Sequence, residues 1–118
     1  MTTDPQLREF IREKSKALFG NSDRVQVALA IGQSKDGLVN ATDLAAELGI
    51  VNNRIRAQLL AFVEVRLLSP APPGPGKRWY VRAESGFWDT CQKLAEAWEK
   101  EYAENDSARP DEERRHRR

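Results

Sequence analysis

The chain has 118 residues, 40% of them hydrophobic and 31% charged, with a formal net charge of +1. That length fits one domain with room for a core, and no apolar run approaches the roughly 18–20 residues a membrane span needs. A single cysteine excludes an internal disulfide, and MTTDPQLREF lacks the charged-then-apolar form of a signal peptide, so the expected location is cytoplasmic.

In chain order, Asp4-Pro5 predicts a helix start, with Asp4 as N-cap and Pro5 in the first helical position. Leu7, Phe10, Ile11, Leu18 and Phe19 keep helical spacing until Gly20-Asn21 ends it. The next helix takes Asn21 or Ser22 as its cap. Around Val25–Ile31 it is apolar on nearly every side, which marks a central core helix. Lys35-Asp36-Gly37 reads as a turn, and Leu38-Val39-Asn40 as a short strand leading to Thr42.

Thr42 to Leu68 carries two short helical patterns that meet at Gly49. Thr42 is the expected N-cap of the first, and Asp43 in its first turn suits the helix dipole. Leu44, Ala45 and Leu48 share a face, and Gly49 supplies the positive φ of a tight turn. From about Asn52, the second pattern turns Ile55, Leu59, Phe62 and Val63 inward. The outer face then holds Asn53, Arg54, Arg56, Ala57 and Gln58, residue types that offer donors to base edges. Leu67-Leu68-Ser69 follows as a strand. Four prolines and two glycines in residues 70–76 then exclude helix and central strand. Lys77–Arg82 alternates like a strand, so the segment reads as a β-hairpin with Lys77 and Arg78 near its tip.

The stretch LAAELGIVNNRIRAQLLAFVEVRLLS resembles the winged helix-turn-helix of bacterial regulators of the ArsR type, whose pattern is roughly LAxxLGxxxxxVxxHLxxLxxAGLV. Leu44, Ala45, Leu48, Gly49, Ile55, Leu59, Phe62, Leu67 and Leu68 carry the match. Two departures stand out. Arg66 replaces the family's usual Gly, implying a different exit from the second helix, and Gln58 replaces a frequent His. LFGNSDRVQVALAI is likewise similar to the segment that leads into the motif in such regulators. The resemblance implies a mainly α fold with a small β-hairpin: about five helices plus a two- to three-stranded wing. It further implies double-stranded DNA as partner, with helix 52–65 in the major groove and wing 69–82 on the flanking backbone. Asn52, Asn53, Arg54, Arg56, Gln58, Lys77 and Arg78 are the expected DNA contacts.

Ser85 caps the last helix. Phe87, Trp88, Cys91, Leu94, Ala95, Trp98 and Tyr102 form its apolar stripe. So many large aromatics on one amphipathic helix suggest a homodimer interface, shared with Leu7 and Phe10 of the first helix. The alternatives are packing onto the chain's own domain and a ligand pocket between protomers. Residues 1–104 make one domain, and the polar, proline-broken 105–118, ending RRHRR, reads as a disordered tail. Charge is divided along the chain. Residues 51–82 hold six basic side chains against one acid, and 83–104 hold two lysines against six acids. A polyanion is therefore drawn to the first region and repelled by the second.

Catalytic and metal chemistry find little support. Cys91 and His116 are the only cysteine and histidine, short of the three or four ligands a zinc site needs. There is no phosphate-binding glycine loop and no nucleophile–histidine set within the folded part. The expectation is a DNA-binding regulator with no enzyme activity, metal or cofactor. The rival is a winged-helix adaptor that binds a protein partner through the aromatic helix.

Overall fold

The structure is a computed structural model and describes residues 4–108. Helix α1 (Pro5–Phe19) is set by its ends: Asp4 accepts from the Gln6 amide at 2.9 Å, and Gly20 closes the helix at φ 76°. Helix α2 (Arg24–Gly32) follows, with Val25, Val27, Ala28 and Ile31 wholly buried. Its expected caps shift. Asn21 accepts from the Asp23 amide at 2.9 Å, shaping the turn ahead of the helix, and Asp23 takes the cap position without a capping bond. The Asp23 carboxylate is engaged elsewhere.

Strand β1 (Leu38–Asn40) runs straight into helix α3 (Ala41–Leu48). The cap is Asn40 rather than Thr42. Its extended backbone ends the strand, and its side-chain oxygen accepts from the Asp43 amide at 2.9 Å. Gly49 turns the chain at φ 66°, Ile50 plugs the turn, and helix α4 (Asn52–Glu64) begins. Ile55, Leu59 and Phe62 of α4 meet Leu44 and Leu48 of α3 in the main core, with Val63 at its margin.

Strand β2 (Leu68–Pro70) and strand β3 (Trp79–Arg82) form the wing. The three strands make an antiparallel sheet in the order β1-β3-β2, with Val39 opposite Tyr80 and Ser69 opposite Val81. Proline 70 is accommodated because β2 lies on the edge. Along β3, Tyr80 turns into the core, whereas Trp79 and Val81 stay about 40% exposed. Arg82 fastens the sheet to the helical layer: its Nη1 donates to the Ile31, Gly32 and Ser34 carbonyls at 2.9–3.0 Å. A cation there meets the negative end of the α2 dipole.

Helix α5 (Gly86–Ala108) begins where Ser85 accepts from the Phe87 amide at 3.0 Å. It continues past Asn105, where the tail was expected; residues 109–118, including RRHRR, lie outside the described residues. Its apolar stripe turns inward. Trp88 donates from Nε1 to the Ala83 carbonyl at 2.9 Å and stacks edge-on with Phe62 and Phe87. Tyr102 packs on Phe10, ring centres 5.4 Å apart. Trp88 and Tyr102 are 8% exposed and Cys91 is fully buried, so the expected dimer surface is corrected at these positions. Of the sequence-based alternatives, packing back on the domain describes them. Leu7, Phe10, Phe87, Leu94 and Trp98 are half-buried.

The exit from α4 corrects a second expectation. Arg66 adopts φ 65°, the left-handed conformation a glycine takes there. The Arg66 amide donates to the Val63 carbonyl at 3.0 Å and the Leu67 amide to the Phe62 carbonyl at 2.8 Å, the paired bonds of a Schellman cap. The path is the glycine path, held by a residue that is strained in it. Arg66→Gly is expected to stabilise the fold by about 1 kcal/mol, read as a higher urea midpoint at unchanged slope.

Candidate nucleic-acid interface

Helix α4 has a core-facing stripe, two flanks and an outward face. Its 3.6-residue period puts Asn53, Ala57, Leu60 and Glu64 on the side away from Ile55 and Leu59; all four are exposed, Leu60 at 61%. Asn52 and Arg56 occupy the flank toward the wing, and Arg54 and Gln58 the flank toward the start of α2. Leu60 did not figure among the expected site residues. The available signal was a leucine one turn beyond Ala57 and outside the inward stripe.

On the wing side, Asn52 and Arg56 converge with Lys77 and Arg78 around a cleft of about 320 Å³, whose lining also includes Asn40, Thr42, Leu60 and Tyr80. Lys77 spans to the first turn of α3, donating to Asp43 Oδ1 at 2.7 Å. Asn40 Nδ2 donates to the other carboxylate oxygen at 2.8 Å. Lys77, and then Asn40, hold the Asp43 carboxyl below its ordinary range. Lys77 and Asp43 are both about half exposed, so the contact is a screened surface pair that a stronger anion can displace. Arg56 and Arg78 make no ion pair among the described residues.

On the α2 side the expected contacts change role. Gln58 is 2% exposed. Its Oε1 accepts from Arg24 Nε at 2.6 Å and its Nε2 donates to Asn21 Oδ1 at 2.8 Å, so the amide is used inside the protein. It is corrected from a DNA contact to an internal link between α2 and α4. Arg24 also covers the Phe62 ring at 5.8 Å. Arg54 donates from Nε to Asp23 Oδ2 at 2.9 Å and from Nη2 to Oδ1 at 2.5 Å. Arg12 of α1 adds a third bond to Asp23, 2.7 Å from Nη1 to Oδ1. Arg54, with Arg12 assisting, holds the 6%-exposed Asp23 carboxyl below its ordinary 3.8 against the opposing effect of burial. Asp23 was not foreseen as a site residue, because its partners come from elements 11 and 31 positions away.

The other chemistry is sparse. Burial pushes the Cys91 thiol up, away from the reactive thiolate. Among the described residues, no group of three or more His, Cys, Asp or Glu is placed to hold a metal ion, and no helix is long and apolar enough to cross a membrane.

No protein-family model and no curated protein matches the chain. Solved structures share its fold. MepR, a transcription regulator of the Staphylococcus aureus multidrug efflux pump MepA, aligns with a TM-score of 0.63 at 11% identity, over 94% of this chain and 82% of that one. AbsC, a MarR family transcriptional regulator from Streptomyces coelicolor, aligns with 0.57 at 19%, over 79% of this chain and 64% of AbsC. AntR, an antimony-specific transcriptional repressor, aligns with 0.52 at 20%, over 91% and 98%. The chain thus spans less than two thirds of AbsC's length. At such identities the likeness establishes the winged-helix fold. It does not single out the ArsR subtype, and AbsC is of the MarR family.

Two outcomes follow from the α2 side. Gln58→Ala is expected to destabilise the fold by about 1–3 kcal/mol, because the Arg24 and Asn21 groups lose a partner; a residue used only for DNA contact would leave the urea midpoint unchanged. Asp23 has a folded-state pKa below its unfolded one, so its stabilisation is complete above about pH 4–5 and fades as pH falls through the folded value. Melting temperature measured from pH 6 to 2 should therefore fall less steeply in Asp23→Asn than in the native chain.

Proposed function

We propose that this protein is a DNA-binding transcription regulator that lays α4 in the major groove with the wing on the flanking backbone. One observation carries the reading: Asn52, Arg56 and Leu60 of α4 and Lys77 and Arg78 of the wing line a single cleft, with exposed Asn53 and Ala57 extending the ridge from Leu60. Cations at the flank of a groove-sized helix suit phosphates, and a ridge of amide and methyl groups suits base edges. In this docking, Asn53 reads an adenine edge, and Ala57 and Leu60 contact thymine methyls. Arg56, Lys77 and Arg78 hold the backbone, Lys77 exchanging Asp43 for phosphate. The likeness to three transcription regulators supports the same reading.

Two copies acting on a two-fold site belong to the proposal. With Trp88, Cys91 and Tyr102 inside the fold, the contact between copies falls to the half-buried Leu7, Phe10, Leu94 and Trp98. The adaptor reading is narrowed for the same reason: Trp88, Cys91 and Tyr102 pack within the chain, which leaves it only the same half-buried side chains. Location in the cytoplasm, and the absence of enzyme activity, accompany the regulator reading.

Fluorescence anisotropy on duplex DNA across a salt series tests it. Arg56→Ala and Arg78→Ala should each weaken binding and each lower the log–log salt slope by about 0.9, without altering thermal stability. Binding that is absent at low salt, or insensitive to both substitutions, would defeat the docking. Enrichment of a palindrome from a random pool supports the dimer; enrichment of a single half-site contradicts it.

A further inference from the structure

Arg54 is held by only one edge of its guanidinium. Asp23 takes Nε and Nη2, leaving the Nη1–Nη2 edge with no hydrogen-bond partner among the described residues, on a side chain that stays 46% exposed. That open edge is itself a two-donor fork, the shape that matches O6 and N7 of guanine. Residue 54 also lies in the first turn of α4, the end of a recognition helix that meets base edges.

The support behind the fork is rigid. Asp23 is 6% exposed, receives Arg12 from α1 at 2.7 Å, and donates its backbone N–H to Asn21. An unsupported arginine is as ready to bind phosphate as base, and must give up rotamer freedom to do either. A carboxylate gripping one edge removes that freedom beforehand and fixes the direction of the other edge. Its negative charge also makes the spot less attractive to phosphate.

We propose that Asp23 is a positioning residue that presents Arg54 as a guanine reader rather than a phosphate contact, placing a specificity determinant on the α2 flank of α4, opposite the wing. The inference rests on the DNA-binding reading above.

The test is selection from a random duplex pool, with sequencing, for the native chain, Arg54→Lys and Asp23→Asn, alongside salt-series anisotropy. The native chain should enrich a motif containing a guanine. Arg54→Lys keeps the charge but not the fork. It should lose roughly 5- to 150-fold of discrimination at that guanine, with the salt slope unchanged. Asp23→Asn should lose the same preference and gain about one unit of slope as Arg54 turns to phosphate. Should thermal melting show Asp23→Asn unfolded, Arg54→Lys decides alone. A native motif that survives Arg54→Lys, or a folded Asp23→Asn that keeps the guanine, overturns the inference and leaves the DNA-binding reading standing. A native chain that binds duplex DNA but enriches no guanine-containing motif overturns the inference alone; one that does not bind duplex DNA at low salt removes both.

Discussion

A buried carboxylate at the start of α2 sets the geometry of helix α4. With almost no surface, Asp23 stays charged only by gathering partners, and the two it gathers come from α1 and α4. Three helices are thus fixed around one acid. The neighbouring amides finish the arrangement: Asn21 accepts from both the Asp23 backbone and Gln58, and Gln58 accepts from Arg24. No buried side-chain polar atom lacks a partner among the described residues. A network so complete favours one orientation of α4, which a purely apolar contact between the same helices would specify less sharply.

Arg82 does the corresponding work for the wing, tying β3 to the carbonyl end of α2. Helix α2 is therefore the reference for both working elements, α4 at its start and the wing at its end. This arrangement also revises the count of basic residues in 51–82. Arg54, Lys77 and Arg82 all have acceptors inside the chain. A total of formal charges overstates what the surface offers to a polyanion: of the wing-cleft cations, Arg56 and Arg78 make no ion pair among the described residues, whereas Lys77 is shared with Asp43.

The helix-turn-helix was legible because each of its signals is local. Leu44, Leu48, Ile55 and Leu59 repeat at helical spacing, and Gly49 takes the left-handed turn expected of it. Asp4-Pro5 and Ser85 acted as read. What could not be read depended on distant partners. Gln58 flanks the inward stripe, and nothing near it in sequence reveals that Arg24 and Asn21 wait beneath it. Aromatic periodicity showed that α5 buries a stripe, but not against what; α1, α2 and α4 in the same chain supply the partners. Asn40 and Thr42 are both good caps two positions apart, and the choice fell to where β1 ends. Arg66 looked like a break in the pattern, yet the two cap bonds are strong enough to hold a side chain in the glycine conformation.

The sheet leaves two strands unpaired on their outer sides, and they are β1 and β2. Open edges of this kind are templates for strand addition and hence for aggregation. Here β1 is only three residues long, and β2 ends at Pro70 before the proline-rich run begins. A proline cannot donate to an incoming strand, and a three-residue edge gives little register to copy. The prolines at the wing thus stand where gatekeepers would: they deny an incoming strand a donor at the end of β2, beside a small sheet whose open face carries apolar Trp79 and Val81.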